Sequence, residues 1–284
     1  MKLARITLAI ASLSVSSLAF SAAHTGSGSA GTVPAKESAK ASAQPGPNKE
    51  MQQVLDAHAG LMPKPIESLT PAEARKQPTP ADAVNVVLKK QGKSIDPEKL
   101  VPGIKSVDRM IAGAAGQIPA RVYTPDGAGP FPVIVYFHGG GWVIGDKQVY
   151  DGGARGLAKQ ANAVVVSVDY RLSPEAKFPA AWDDSLAAYK WTLANAASIK
   201  GNPKKLALAG ESAGGNLALN VAIAARDLGV PLIHISTDYV FDGTATVPLP
   251  ETAQTAPINA YGRSKLAGEI KLMKTARDTK RQER

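Results

Sequence analysis

Three short apolar runs constrain this chain more than any other feature. Residues 132–137 read PVIVYF, 164–168 read VVVSV and 206–209 read LALA. None shows the polar alternation of a half-solvated strand, so each predicts a strand covered on both faces. Helical stretches near 153–162, 180–197 and 213–228 lie among them. Alternating buried strands and helices predict an α/β fold with a mainly parallel sheet. Residues 104–111 and 118–124 read as two more strands joined by a Gly/Ala turn, and 232–236 as a last one. A right-handed crossover would set Leu232–Ile235 parallel to 206–209.

The ends of the chain differ from this core. Met1–Arg5 is a short positive start, Ile6–Phe20 is apolar, and Ser21-Ala22-Ala23 is a run of small residues. That layout predicts a bacterial-type secretory signal over 1–23 and a secreted or periplasmic protein, with no stable membrane span after cleavage. Residues 24–50, rich in Gly, Ser, Ala and Pro, read as a flexible linker. Two helices then start at Thr70-Pro71-Ala72-Glu73 and Thr79-Pro80-Ala81-Asp82, after a short helical stripe from Met51 to Met62. The tail, 271–284, is charged and reads as a solvated end.

Composition narrows the chemistry. The chain has no cysteine, which excludes thiolate nucleophiles and Cys-ligated metals, and no metal site is expected. Histidines stand only at 24, 58, 138 and 234. The net charge of +9 comes from scattered lysines and the basic tail, and no nucleic-acid partner is expected.

Two motifs carry the chemistry. Gly210-Glu211-Ser212-Ala213-Gly214 is a G-x-S-x-G sequence between a predicted strand and a predicted helix. Its glycines permit a sharp turn that presents the serine oxygen at the helix N-terminus. Alone, it could be an ordinary Gly-rich turn. It is joined by His138-Gly139-Gly140-Gly141-Trp142, directly after PVIVYF. A glycine run there frees backbone N–H groups to meet a carbonyl oxygen, so Gly139, Gly140 and Ala213 are candidate oxyanion-hole donors. A competing reading takes 139–145 as a loose dinucleotide fingerprint with Asp169 as the ribose-binding acid, but no helix is predicted directly after it.

Residues 51–231 resemble the hormone-sensitive-lipase-like branch of the α/β-hydrolases, the alpha/beta hydrolase fold-3 group. The resemblance rests on HGGGW at 138–142, DYRLSPE at 169–175, FPAAWDD at 178–184 and GESAGGN at 210–216. It implies a carboxylesterase or lipase acting on small acyl esters without a cofactor. Ser212 would be the nucleophile, Gly139, Gly140 and Ala213 the oxyanion hole, and His138, Gly210 and Gly214 supporting residues. Asp169, Arg171 and Glu175 would be structural, and residues 51–90 part of a cap over the acyl pocket.

The remainder departs from that pattern. In this fold an acid and then a histidine follow the nucleophile. Only His234 follows Ser212, inside the apolar run PLIHI. The catalytic triad therefore reads as incomplete, and the fold as truncated. Residues 232–270 instead resemble dTDP-4-dehydrorhamnose reductase, through STDYVFDG at 236–243 and Tyr261-x-x-x-Lys265. That resemblance implies Thr237 and Tyr261 acting on a keto group, Lys265 positioning a nicotinamide ribose, and NADPH or NADH as cofactor. The reductase's N-terminal nucleotide motif is absent. A third reading is a non-catalytic chimera joined near 230–232.

Overall fold

The protein is described from a computed structural model over residues 47–225, 241, 253–258, 263, 266 and 270. The expected signal, most of the linker, the strand at 232–236 with its proposed pairing, and the tail lie outside the described residues. The linker's last residues do not behave as linker. Helix α1, Lys49–Gly60, begins there because the Asn48 side chain accepts a hydrogen bond from the Met51 N–H.

Both Thr-Pro sequences start helices as their residue types require. In α2, Pro71–Ala74, and α3, Pro80–Lys90, a threonine caps the third helical N–H and an acidic side chain returns to the threonine N–H. His58 bonds the Pro78 carbonyl at 3.2 Å, tying α1 to the α3 approach. A single turn, α4, Pro97–Leu100, precedes the sheet.

The sheet has five described strands: β1 Ile104–Gly113, β2 Gly116–Pro125, β3 Phe131–Phe137, β4 Val164–Val168 and β5 Gly201–Gly210. They lie in the order β1-β2-β4-β3-β5. The helices between them are α5 Asp151–Ala161, α6 Ala180–Asn195 and α7 Ala213–Ala224. The expectation of a mainly parallel sheet is corrected here, because the described sheet is mixed. β3 pairs in parallel with β4 and β5, whereas β1–β2 and β2–β4 are antiparallel. The two-residue connection between Gly113 and Gly116 leaves no length for a crossover, so it can only reverse the chain.

Strand alternation sorts the core into two faces. Val133, Val135 and Phe137 of β3, with Val164, Val166, Leu206 and Leu208, pack against Tyr189 of α6 and Leu217 and Val221 of α7. Ile134 and Tyr136 point the other way, with Val165, onto Ala154 and Ala158 of α5. Covering both faces is what the unbroken apolar runs demand, since each side chain on either face is removed from water. Among the described residues no helix is long and apolar enough to cross a membrane.

Charged groups inside this framework are satisfied. Asp184, at 0 % side-chain exposure, takes the Arg171 guanidinium at 2.7 and 3.0 Å and also accepts from the Ala114 N–H at 3.0 Å. One carboxylate thus fixes both the β1–β2 turn and the segment after β4. Removing it leaves the Ala114 and Arg171 N–H groups unpaired and a partly exposed guanidinium alone. Asp184→Ala should lower unfolding stability by roughly 3 kcal/mol, measured by urea denaturation, the low end of the range for a broken buried pair because Arg171 keeps some water.

Candidate active site

β3 and β5 are adjacent and parallel, with Phe137 opposite Gly210. Their C-terminal ends therefore release the two motif loops side by side. Past β5 the chain turns so sharply that Ser212 sits at φ +50°, ψ −119°, as the N-cap of α7. A serine in the left-handed region is unusual, and it persists only where the surroundings impose it. The imposition is visible at the glycines. A side-chain carbon on Gly214 would run into the Phe137 and His138 carbonyls, and one on Gly210 into the Gly214 backbone. Ser212 itself is exposed, at the positive end of a 12-residue helix.

The glycine loop sits beside this turn. A side-chain carbon on Gly139 would lie 3.3 Å from the Glu211 carbonyl and 3.1 Å from the Tyr150 hydroxyl. Gly140, Gly141, Trp142 and Gly145 all have positive φ, at 106°, 61°, 62° and 89°. The loop curls on itself through Val143 N–H and Ile144 N–H, both donating to the Gly140 carbonyl. Among the described residues, no hydrogen bond takes the N–H of Gly139, Gly140 or Ala213 as donor.

This geometry removes the dinucleotide reading of 139–145. The loop does not open a helix, and the next one, α5, carries Asp151 in its first turn, where a pyrophosphate would have to sit. Asp151 is occupied by Arg121, Arg155 and Tyr123, and Asp169 accepts from the N–H and Nζ of Lys147 rather than facing a ribose. NADPH and NADH therefore have no site in this loop.

Beneath the loop lies a cluster of aromatic and acidic groups. His138 is buried between Tyr170 and Tyr150, with ring centroids 4.4 and 5.5 Å away. Its Nδ1 is 2.7 Å from the Gly139 carbonyl, which can only accept, so Nδ1 carries the proton. Its Nε2 has no hydrogen-bond partner among the described residues. Burial pushes the imidazole pKa down, so the ring is neutral. Among the described residues the buried ring makes no hydrogen bond to the exposed Ser212, and its contacts, the Gly139 carbonyl and the Tyr150 and Tyr170 rings, are with the loop and its support.

Glu211 is half-buried, and its carboxyl is raised above the ordinary carboxylate range by desolvation, against the pull of hydrogen bonds from Tyr150 and Tyr136. Burial, with the Glu211 charge, pushes Tyr150 up to about 12. The three residues assigned structural roles have identified partners: Asp169 with Lys147, Arg171 with Asp184, and Glu175 with Arg75. Arg75 and Tyr150 had no motif to announce them, whereas Tyr170 stands in the DYRLSPE motif, where no role was assigned to it. His234, Thr237, Tyr261 and Lys265 lie outside the described residues.

A mixed sheet with helices on both faces and a strained serine turn beside a glycine loop define an α/β-hydrolase-type fold. Residues 134–262 match the family model described as alpha/beta hydrolase fold, a match that runs past 230–232. The chain is 40 % identical over 180 residues to the carboxylesterase NlhH of Mycobacterium tuberculosis, covering 63 % of this chain and 56 % of that protein. It is 40 % identical over 183 residues to the esterase LipI of the same organism, covering 60 % and 57 %. Among solved structures it is similar to a thermophilic, thermostable carboxylesterase cloned from a metagenomic library, with TM-score 0.51, 35 % identity, and 67 % and 64 % coverage. The chain thus spans little more than half the length of these curated relatives.

The neutral His138 has a consequence for stability. The unfolded chain takes up a proton on this residue near 6.5, while the folded chain resists it, so the folded state loses stability as pH falls below that value. Glu211, raised by burial, acts in the opposite sense in both proteins and cancels in the comparison. Unfolding free energies from urea denaturation between pH 7 and 5 should fall more steeply for wild type than for His138→Gln, by up to about 1.4 kcal/mol per pH unit.

Proposed function

We propose that this chain is a serine-dependent carboxylic-ester hydrolase acting on small acyl esters, with a weak active site. The observation that carries the reading is Ser212 at φ +50° heading α7, beside the glycine loop. In this scheme the Ser212 oxygen attacks the ester carbonyl carbon and its proton passes to water. The N–H groups of Gly139, Gly140 and Ala213 receive the developing oxyanion, the alcohol leaves, and a second water hydrolyses the acyl-serine. The chemistry needs no cofactor. Residues 51–90 would cap the acyl group, and a signal over 1–23 would direct the protein to the periplasm or outside.

The weakness follows from the base. His138 is buried and makes no hydrogen bond to Ser212 among the described residues, and His234 stands in an apolar run. Without a base and its orienting acid, an oxyanion hole and binding alone retain about 10³–10⁴-fold acceleration over water. The alternative, a nucleotide-sugar reductase acting through Thr237, Tyr261 and Lys265, would need a nicotinamide site supplied other than by the 139–145 loop. The non-catalytic chimera is the remaining reading.

Steady-state hydrolysis of p-nitrophenyl acetate separates them. Wild type should turn over measurably but far below a complete esterase, and Ser212→Ala should return to the background rate. Equal rates for the two proteins would mean that Ser212 is idle. A high turnover abolished by Ser212→Ala would mean that a base completes the site, His234 or His138 being the candidates. NADPH titration followed by tryptophan fluorescence should show no saturable change.

A further inference from the structure

We propose that Arg75 is a positioning residue for the glycine loop: its guanidinium locks the loop to helix α2 and to the Ser173–Glu175 turn, and so fixes where the N–H groups of Gly139 and Gly140 point. The catalytic consequence rests on the esterase reading; the positioning itself does not.

The argument begins with the loop. With four positive φ angles between Gly140 and Gly145, one of them at Trp142, it is a conformation that a free chain would not hold. Its internal bonds are few, the Val143 and Ile144 N–H groups sharing the single Gly140 carbonyl. The restraint comes from outside. Ser173 N–H donates to the Trp142 carbonyl at 2.8 Å. Arg75 Nε donates to the next carbonyl, Val143, at 2.7 Å. The same guanidinium reaches the Ser173 carbonyl at 2.7 Å through Nη2, and both Glu175 oxygens at 2.8 Å. Two consecutive loop carbonyls are thus held by donors from two other segments, and Arg75 joins all three.

Only a guanidinium fits this role. Its planar fork presents donors in fixed directions, and here four bonds from Nε, Nη1 and Nη2 meet acceptors on two loops. A lysine ammonium could keep the charge but not span those directions. The charge is the lesser part, because Glu175 is 62 % exposed and water screens the pair. The two carbonyl bonds are the orienting part. The residue is also mounted firmly: Arg75 is the C-cap of α2, a single turn whose other end is closed by the Thr70–Glu73 capping box.

The test compares full-length wild type, Arg75→Lys and Arg75→Ala by amide hydrogen exchange and by p-nitrophenyl acetate kinetics. Amides within 139–145 should exchange about 10-fold faster or more in both variants, while those of β4 keep their protection. The melting temperature should stay within about 5 °C of wild type, separating a local from a global effect. Ser212-dependent kcat should fall about 10-fold or more with KM changed less than about 2-fold, as expected for loss of a group that acts on the transition state. Guanidinium ion added to Arg75→Ala should restore part of both the protection and the kcat, with no gain in wild type. Unchanged exchange at 139–145 in Arg75→Ala would overturn the proposal. So would a loss of protection spread equally over β4, which would make Arg75 a general stabiliser. If wild type shows no Ser212-dependent turnover, the esterase reading fails by itself, and the exchange measurement still decides the role of Arg75.

Discussion

The contact between the first turn of α7 and the end of β3 is the constraint on which the site depends. At Gly214 the helix passes so close to the Phe137 and His138 carbonyls that no side chain can be placed between them. That approach forces the tight turn after Gly210, which in turn puts Ser212 in the left-handed region. The same approach brings the start of the glycine loop against Glu211. A bulkier residue at 214 would separate the two loops and undo both arrangements together, so the serine turn and the glycine loop are one device in steric terms.

Around that device, polar groups are placed to hold backbone rather than to meet solvent. Asp184 anchors Arg171 and the β1–β2 turn. Asp151 gathers Arg121, Arg155 and Tyr123 between β2 and α5, and Arg155 also donates to the Ile104 carbonyl. The Tyr170 hydroxyl closes on the His138 carbonyl at 2.7 Å. Among the described residues the buried charges Asp151, Arg155 and Asp184 therefore each have a partner of opposite sign, which is the condition for keeping them in the interior without a large desolvation cost.

The sequence made the strands and the two motif loops legible, for physical reasons that can be named. Residues 164–168 form β4 as read, because a short run with four β-branched valines favours a strand covered on both sides. Thr70 and Thr79 mark helix starts because capping is local chemistry within four residues. The sheet's mixed direction was less legible. Alternation of strands and helices suggested parallel pairing, but β2 pairs antiparallel to β4, a long-range choice that no local pattern encodes. Arg75 was invisible for the same reason. Nothing near it in sequence distinguishes it from any other surface arginine, and its partners lie far along the chain.

That distance shapes how the molecule is assembled. Arg75 bonds Val143 across 68 residues and Glu175 across 100. Contacts of such separation close large loops, and their entropic cost falls due before they return any stabilisation. During synthesis the glycine loop is made before Glu175, the residue that completes the clamp. Helices α1 to α3 and the β1–β2 hairpin can form from neighbours alone, whereas the glycine loop must await a residue from beyond β4. The loop that borders Ser212 therefore gains its full anchorage only late in folding, after most of the strands that frame it have been made.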